Sequence, residues 1–422
     1  MEELQATEPP VAEAERSLLL SLFRGERFSS LASGQFRWLL AGTALSQVAS
    51  WMEEVTRSWL VLQLTNSPFQ LGVLAFIRGM SQLIVSPFAG VLTDRFDRRR
   101  LAIITQLMPA ADAVMVGTLV ATGHIAIWQM YPLVTIAGIS GAINVPCRQV
   151  LVYDVVGGEG ITNAIGLSSV VSNISRIMAP VAGGLTIAAI GISASYYTQM
   201  VFFVLATGAT WMLHPMTHAE SIREPYLQSI RAGFRYTRLE PTIARLVLLN
   251  TIPNLLIYPY VALIPLFARD ILHVGSAGYG VLLTGVGIGS IPGGLIVAGM
   301  TNSRWKGRTM GAAACLYMAC VTLFAFSNVF FLSFAILCVA GVGWSMMVTL
   351  NQTLLQLNVA DAYRARTLSL YSMAAGSTPF GNLGIGLTAD VFGVQAAVAG
   401  FALTALTLAT VLGIGSAEVR RL

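Results

Sequence analysis

The chain has 422 residues, of which 55% are hydrophobic and 11% are charged, against about 25% charged residues in an ordinary soluble protein. A soluble protein of this size could not cover its surface with so few charges. The net charge of +5 is spread over short loops, which argues against nucleic-acid binding. The long, continuously apolar runs also argue against a membrane β-barrel, whose strands are short and alternate. The composition therefore indicates an integral membrane protein with many helical spans.

The hydropathy pattern predicts an all-α membrane protein with 12 transmembrane helices in two pseudo-symmetric halves of six. A polar tail covers residues 1–35, and the first half covers residues 36–213. A linker at 214–241 contains an amphipathic stretch suited to a helix on the inner leaflet of the bilayer. The second half covers residues 242–416, and a second tail covers residues 417–422.

The basic residues of the loops predict how these helices are oriented. Arginines cluster in the loops after the second, sixth, eighth and tenth predicted spans and are nearly absent from the alternate loops. By the positive-inside rule, the basic loops and both chain termini are cytoplasmic. No cleavable signal peptide is predicted, so the first span is expected to serve as the targeting element.

Short sequence matches indicate that the two halves are repeats. The tripeptide that begins at Gly72 in the second span recurs at Gly280 in the eighth, and Pro180 in the fifth span recurs as Pro379 in the eleventh. Two six-helix halves around a central cavity are typical of transporters that alternate access between the two sides of a membrane.

The clearest motif follows the second span. It contains Gly90, Asp94, Arg95, Asp97, Arg98, Arg99 and Arg100. This stretch resembles the signature loop of the major facilitator superfamily, although Asp97 stands where that pattern has a second glycine. Contacts made by its carboxylates and arginines would hold the cytoplasmic side closed and break on opening; a plain positive-inside anchor is the alternative. Arg148, at the inner end of the fourth span, is expected to pair with the acids of this loop or to anchor at the interface.

A second motif lies in the fifth span. It consists of Gly166, Ser175, Ala179, Pro180, Gly183 and Gly184. The spacing resembles the antiporter motif of the same superfamily, with Ser175 and Ala179 in place of two glycines. Small residues let helices approach closely, and proline permits bending. The resemblance implies export of a substrate in exchange for protons, and ordinary helix packing is the alternative.

Longer stretches resemble one branch of the superfamily, the siderophore- and macrolide-exporter-like group. They include the runs that begin at Ser58, Asn144, Asn163 and Leu263. The resemblance extends from about residue 35 to about residue 415. It implies the major facilitator fold and a multi-pass transporter in the cytoplasmic membrane of a prokaryote.

Charged residues at membrane depth concentrate in the first half. They are Glu53, Glu54, Arg57, Arg78, Asp112 and Arg176. Such charges are costly and usually functional. A proton carrier needs a carboxylate whose proton affinity changes, since burial favours its neutral form and a nearby arginine its charged form. Glu53 or Glu54 beside Arg57 or Arg78 would meet that need, with a fixed ion-pair cluster or direct substrate contact as alternatives; structural pairing is expected for Asp112.

The sequence thus predicts a proton-coupled exporter of a small amphipathic compound, drug-like or siderophore-like, that works by alternating access. Aromatic residues such as Trp59, Phe76 and Trp344 could line its cavity or simply pack between helices. A uniporter or importer of a metabolite or lysolipid is the alternative, followed by a non-transporting receptor. The expected partners are the substrate, protons and the lipid bilayer, and the chain is expected to be monomeric. No enzyme activity, cofactor, metal site or nucleic-acid partner is predicted, because the chain lacks a P-loop and metal-ligand spacing of its cysteines and histidines.

Overall fold

A computed structural model describes residues 30–214, 240–300, 305–359, 371, 374 and 376–411. The secondary structure within these ranges is helical, without a β-strand. The predicted N-terminal tail is described only from residue 30, the predicted linker only at its two ends, and the C-terminal tail not at all. The predicted amphipathic helix of the linker therefore lies outside the described residues, and the domain boundaries stay predictions.

The first half begins with three separate helices: α1 (Gly34–Thr65), α2 (Pro68–Arg95) and α3 (Arg98–Ala121). A longer helical run follows over Ile127–Trp211. Within it, Gly157 and Gly191 have φ values of 73° and 87°, in the left-handed region that glycine adopts easily. These two glycines divide the run into α4 (127–156), α5 (158–190) and α6 (192–211).

The second half begins with an irregular helix, α7, which starts as Pro241–Ile252 and continues to residue 271. Pro253, Pro259 and Pro265 interrupt its hydrogen-bond ladder because proline has no N–H. From residue 253 onward, π and 3₁₀ turns replace regular α turns except in the short α segment Ile264–Leu266. The helices that follow are α8 (Gly275–Ala298), α9 (Lys306–Phe326), α10 (Phe330–Asn358), α11 (Thr378–Phe392) and α12 (Val394–Ala409).

Eight helices in the described ranges are long and apolar enough to cross a membrane. Here α5 and α6 count as one helix, and α11 and α12 fall short of the required length as described. Charged and polar side chains, including Glu53, Glu54 and Arg57, interrupt the apolar sequence of α1, which is not among the eight. The structure therefore describes a multi-helix membrane protein, and the count of twelve spans stays a prediction.

Within the described ranges, the most extensive contacts between the two halves lie along two helix pairs, α2 with α11 and α5 with α8. A Cβ added at Gly72 would overlap the carbonyl oxygen of Asn382 in α11. A Cβ added at Gly280 would overlap the carbonyl oxygen of Pro180 in α5. The repeated glycines thus hold corresponding places in the two contacts, which gives the repeat in the sequence a structural reason.

Apolar packing differs between the two ends of the molecule. The largest cluster of buried apolar side chains contains residues of both halves, Leu62 and Phe267 among them, and lies away from the loop between α2 and α3. At the loop end, one cluster around Leu151 serves the first half and another around Leu354 serves the second. In the described part of the chain, the halves share a core at one end and pack separately at the other.

Candidate functional site

A cavity of about 770 Å³ lies inside the first half, in the size range of sites for drug-sized ligands. On α1 its lining extends from Thr43 to Glu53, and on α4 it extends from Ala137 to Val152. The cavity therefore occupies the part of the half that is nearest the loop between α2 and α3. This is the end that the positive-inside rule assigns to the cytoplasm.

The cavity wall consists mostly of hydroxyl and amide side chains. They include Thr43, Ser46, Gln47, Thr105, Gln106, Asn144, Ser168 and Ser172. The lining contains one aromatic side chain, Phe203. The aromatic residues proposed from the sequence pack elsewhere: Trp59 stacks on Tyr279 with ring centroids 6.3 Å apart, and Phe76 meets Phe380 edge-on at 5.9 Å.

Most of the charges at membrane depth form one cluster on α1 and α2. Arg57 donates hydrogen bonds to Glu53 and Glu54, and Arg78 donates one to Glu54. Arg78 Nη2 also lies 3.8 Å from Glu53 Oε2. The side chains of Arg57 and Glu53 are only 6% and 8% exposed, so their ion pair is largely removed from water, whereas Arg78 and Glu54 are about a third exposed. The structure thus brings together the four residues that helical spacing and depth had grouped.

Asp112 on α3 is a third carboxylate beside this cluster. It is 9% exposed and interacts electrostatically with Glu53, Arg57 and Arg78. Its Oδ1 atom is buried and has no hydrogen-bond partner among the described residues. The structural pairing expected for Asp112 is therefore not found in the described part of the chain.

Helix α6 adds uncharged polar groups that the sequence analysis missed. The Tyr196 hydroxyl is buried, interacts with the carboxylates of the cluster and lacks a hydrogen-bond partner among the described residues. The Thr56 and Ser195 hydroxyls lie 2.8 Å apart, and Gln199 donates a hydrogen bond to Thr56 at 2.8 Å. Ser195 and Gln199 are four residues apart in an apolar helix, which places them on one face and was a readable signal.

A polar face of α5 was also missed. Ser168, Ser169, Ser172 and Asn173 all line the cavity. Residues three and four apart share a helix face, so this spacing predicts a polar stripe on an otherwise apolar helix. Read one at a time, the serines look like ordinary small residues of a membrane helix.

The signature loop makes its described contacts within the first half. The Asp97 side chain accepts a hydrogen bond from the Arg100 backbone N–H at 2.9 Å and caps α3, which accounts for an aspartate at this position. Arg98 Nη1 donates to both carboxylate oxygens of Asp154 at 2.8 Å. Arg99 donates to the carbonyl oxygen of Trp211 at the end of α6.

The remaining loop residues lie at the end of α2. Asp94 is partly buried, Arg95 is exposed, and Gly90 has open space where a Cβ would stand. The described contacts of Arg98 and Arg99 link α3 to α4 and α6 rather than to the second half. The predicted gating role of the loop stays a prediction.

Arg148 lies in the cavity wall and is 9% exposed. Its expected role as an anchor at the membrane interface stays a prediction. Arg148 donates hydrogen bonds to Asn144 Oδ1 at 3.0 Å, Thr43 Oγ1 at 2.6 Å and the Gly42 carbonyl oxygen at 3.2 Å. These partners are neutral, so the described contacts do not join Arg148 to the acids of the signature loop.

Arg176 lies apart from the charge cluster, at the contact between the halves. It donates hydrogen bonds to Ser290 on α8 at 3.0 Å and to Asn173 at 3.3 Å. Its guanidinium carbon is 5.2 Å from the ring centroid of Trp344, a cation–π contact to the second half.

Two glycines of the antiporter-like motif on α5 pack against two different helices, one against α8 and one against α1. A Cβ at Gly184 would overlap the Ser276 carbonyl oxygen on α8, and a Cβ at Gly183 would press against Met52 on α1. Ser175, Ala179 and Pro180 are buried in the same helix. Gly166, at the other end of the motif, has open space around it.

Comparison with known proteins decides the family. Residues 26–420 match the family model described as transmembrane secretion effector. The chain belongs to the transmembrane secretion effector family. The family and the relatives described next are transporters of the major facilitator type rather than enzymes, as the sequence predicted.

Three similar proteins are named as a transporter, an exporter and an efflux pump. The staphyloferrin A transporter of Staphylococcus aureus is 24% identical over 373 residues, covering 85% of this chain and 90% of that protein. The enterobactin exporter EntS of Citrobacter koseri is 22% identical over 380 residues, covering 86% of each chain. The multidrug efflux pump Tap of Mycolicibacterium fortuitum is 24% identical over 364 residues, covering 84% of this chain and 88% of that protein. The predicted resemblance to the siderophore- and macrolide-exporter-like branch is confirmed.

Two solved transporter structures share the fold of this chain. The nucleoside transporter NupG superposes with a TM-score of 0.74 at 14% identity, covering 90% of this chain and 98% of NupG. A bacterial homologue of the lysosomal transporter Spinster superposes with a TM-score of 0.67 at 14% identity, covering 94% of this chain and 96% of that protein. At such low identity the similarity shows only that the fold is shared. The predicted major facilitator fold is confirmed.

Proposed function

We propose that this protein exports a small molecule by alternating access and couples the export to inward proton movement. Asp112 is the proton-binding residue of this proposal. The observation that carries it is a buried cluster of three carboxylates and two arginines, in which Asp112 Oδ1 has no partner among the described residues. The names of the relatives, which include exporters, support outward transport.

The charges of the cluster favour one bound proton. If Glu53, Glu54, Asp112, Arg57 and Arg78 were all ionised, the cluster would carry one net negative charge, and three of its five members (Glu53, Arg57 and Asp112) are buried. Burying an unpaired charge costs far more than burying a paired or neutral group. Glu53 and Glu54 accept hydrogen bonds from arginines. Asp112 is therefore the carboxyl group that gains most from being neutral in this conformation.

Release of the proton requires a change in the distance between Asp112 and an arginine. An arginine that approaches a carboxyl group favours its charged form. Movement of α1 or α2 relative to α3 would carry Arg57 or Arg78 toward Asp112 and weaken its hold on Glu53 or Glu54. The proton could then leave Asp112, or transfer to a glutamate that has lost its partner.

Two adjacent glycines offer a mechanical link between this cluster and the second half. Gly183 lies against Met52, next to Glu53 on α1, and Gly184 lies against Ser276 on α8. A shift of α8 against α5 would therefore be transmitted to the part of α1 that bears the charges. Tightly packed helices of this kind move between discrete arrangements rather than deform continuously.

The distribution of packing supports an inward-facing state. The cavity lies at the end that is predicted to be cytoplasmic, and a shared apolar core joins the halves at the opposite end. In this state the cavity would load substrate from the cytoplasm. Opening of the opposite end would release the substrate and admit protons.

The test uses inside-out vesicles with an acidic interior and a pH-sensitive dye. Lipophilic cations, macrolides and chelates similar to siderophores are added one at a time. We expect at least one compound to trigger proton release from the interior, and Asp112→Asn to reduce that release at least tenfold. Glu240→Gln, a change at an exposed acid outside the membrane helices, is the control and should leave the release unchanged.

Two results would change the assignment. Full proton release in Asp112→Asn, with loss in the Glu53→Gln/Glu54→Gln double variant, would move the proton site to the glutamates. Transport that only equilibrates the compound, without proton release, would contradict coupling and favour a uniporter.

A further inference from the structure

We infer that the cavity binds its transported compound through a carboxylate group held by Arg148. The inference rests on the proposed function, since it takes the cavity to be the transport site. The sequence predicts a small amphipathic compound, drug-like or siderophore-like, and the inference narrows this to a compound that bears a carboxylate group. The argument depends on the neighbours of Arg148, on the rest of the cavity wall and on the balance of charge.

Three hydrogen bonds hold Arg148 in place but do not use all of its N–H donors. Its guanidinium group has five N–H donors. Bonds to Asn144, Thr43 and the Gly42 carbonyl engage one donor each on Nε, Nη1 and Nη2. One N–H on each Nη atom is left without a partner in the described structure, while the three bonds fix the plane of the group at the cavity wall. A fixed guanidinium group with donors to spare suits a carboxylate, which accepts from two such donors at once.

The positive charge of Arg148 is not balanced by any described carboxylate. Its three partners are neutral, and no acidic group of the described residues lies within ion-pair distance. Arg57 and Arg78, by contrast, both bind glutamates. A buried cation without a counter-ion is costly, and binding of one anion removes that cost. A carboxylate carries one negative charge, which matches one guanidinium group, whereas a phosphate ester carries nearly two.

The rest of the wall suits a polar compound rather than a flat lipophilic cation. Fourteen of the 25 described lining residues carry a hydroxyl or amide side chain, and one of the 25, Phe203, is aromatic. Recognition of lipophilic cations depends on the faces of aromatic rings, which this lining scarcely offers. The hydroxyls and amides can instead donate to and accept from hydroxyl groups of a substrate.

The length of the cavity limits the size of this compound. Arg148 is anchored at Thr43, and the other end of the α1 lining is Glu53. At 1.5 Å per residue, these positions on α1 are about 15 Å apart. A compound bound to Arg148 by its carboxylate can therefore extend across roughly 15 Å of polar wall toward the charge cluster.

The test compares two probes that differ by one charged group, gluconate and its neutral counterpart glucitol. Binding to the purified full chain is measured at equilibrium, without a proton gradient, by titration of ligand-dependent thermal stabilisation. We expect gluconate to bind at least tenfold more tightly than glucitol, and the preference to weaken as salt is raised. Arg148→Gln should abolish the preference, and Arg308→Gln, at an exposed arginine of the second half, should retain it.

Arg148→Lys keeps the charge and serves as the second variant if Arg148→Gln does not fold; it should retain part of the preference. Equal affinity for the two probes, binding of neither, or an unchanged preference in Arg148→Gln would overturn the inference. The proton-release assay distinguishes its failure from that of the proposed function. A gluconate preference without proton release rejects coupling and leaves the anion site standing. Proton release triggered by a neutral or cationic compound, with no gluconate preference, rejects only the anion site.

Discussion

The two halves of the molecule share a frame but differ in their chemistry. In both, a glycine of the repeated tripeptide lies against the backbone of a helix in the other half, Gly72 against α11 and Gly280 against α5. The first half contains the cavity and the charge cluster. The second half instead packs aromatic rings, such as Phe267 and Phe324, whose centroids are 4.6 Å apart.

This difference separates the features that both halves need for packing against each other from those that only one half contains. Close helix contacts between the halves need small residues in the corresponding helices of both halves, because the helix backbones approach each other there. Charged residues at membrane depth are needed in only one of the two halves, since burying each of them carries a desolvation cost. One half can therefore specialise in binding while the other supplies a mostly apolar partner for its movement.

The largest expected effect comes from the charge cluster. Arg57→Gln leaves Glu53 and Glu54 with Arg78 alone, and loss of one partner of a buried ion pair costs about 3–5 kcal/mol. The thermal unfolding midpoint of the purified protein should fall accordingly. The deficit should shrink as the pH falls, because protonation of a glutamate removes the unpaired charge.

Two variants control this prediction. Arg308→Gln removes an exposed arginine of the second half and should change the midpoint little. The double variant Glu53→Gln/Arg57→Gln removes both charges and should recover part of the loss. If Arg57→Gln lowered the unfolding midpoint no more than Arg308→Gln does, the charge cluster of the first half would contribute nothing special to stability.

An intermediate effect is expected at the shared frame. Gly72→Ala and Gly280→Ala each force a methyl group against a backbone carbonyl of the other half, and overpacking of this kind costs about 1–3 kcal/mol. Gly208→Ala, on α6 with open space around it, is the matched control; alanine is the better helix former, by up to about 1 kcal/mol. The thermal unfolding midpoints of the three variants measure this destabilisation. If only one of Gly72→Ala and Gly280→Ala lowered the midpoint, the two glycines would not have equivalent packing roles in the two halves.

The smallest effect is expected at the signature loop. Asp97→Ala removes the side-chain cap of α3 and should destabilise the protein by about 1 kcal/mol. Asp97→Gly restores the glycine of the superfamily pattern and should cost only about a few tenths of a kcal/mol, since glycine is itself a favourable N-cap residue. Chemical unfolding in matched detergent measures both. Equal stability of all three proteins would mean that the cap contributes nothing.

The helices could be predicted from the sequence because a membrane span depends on a local property, a long run of apolar residues. The grouping of Glu53, Arg57 and Arg78 was also predictable, since helical spacing and depth set it. The turn at Gly157 likewise follows from two adjacent glycines. The number of spans was harder to establish, because the charged residues of α1 remove it from the set of clearly apolar helices.

Tertiary packing determined the rest of the site. The position of Asp112 beside α1, and its lack of a described partner, depend on how α3 packs and leave no trace in the sequence near Asp112. The neighbours of Arg148 come partly from α1, more than 100 residues earlier in the chain. The polar wall was missed because serine and threonine are ordinary in membrane helices, and only their shared face marks them.

The stacked pair Trp59 and Tyr279 has a spectroscopic consequence. The two rings belong to different halves, and their planes lie 20° from parallel with centroids 6.3 Å apart. Any motion that separates the halves at this end must also unstack the rings and expose the indole to a new environment. The emission of Trp59 is therefore a built-in optical signal of that motion, readable without an attached dye in a variant that retains this tryptophan alone.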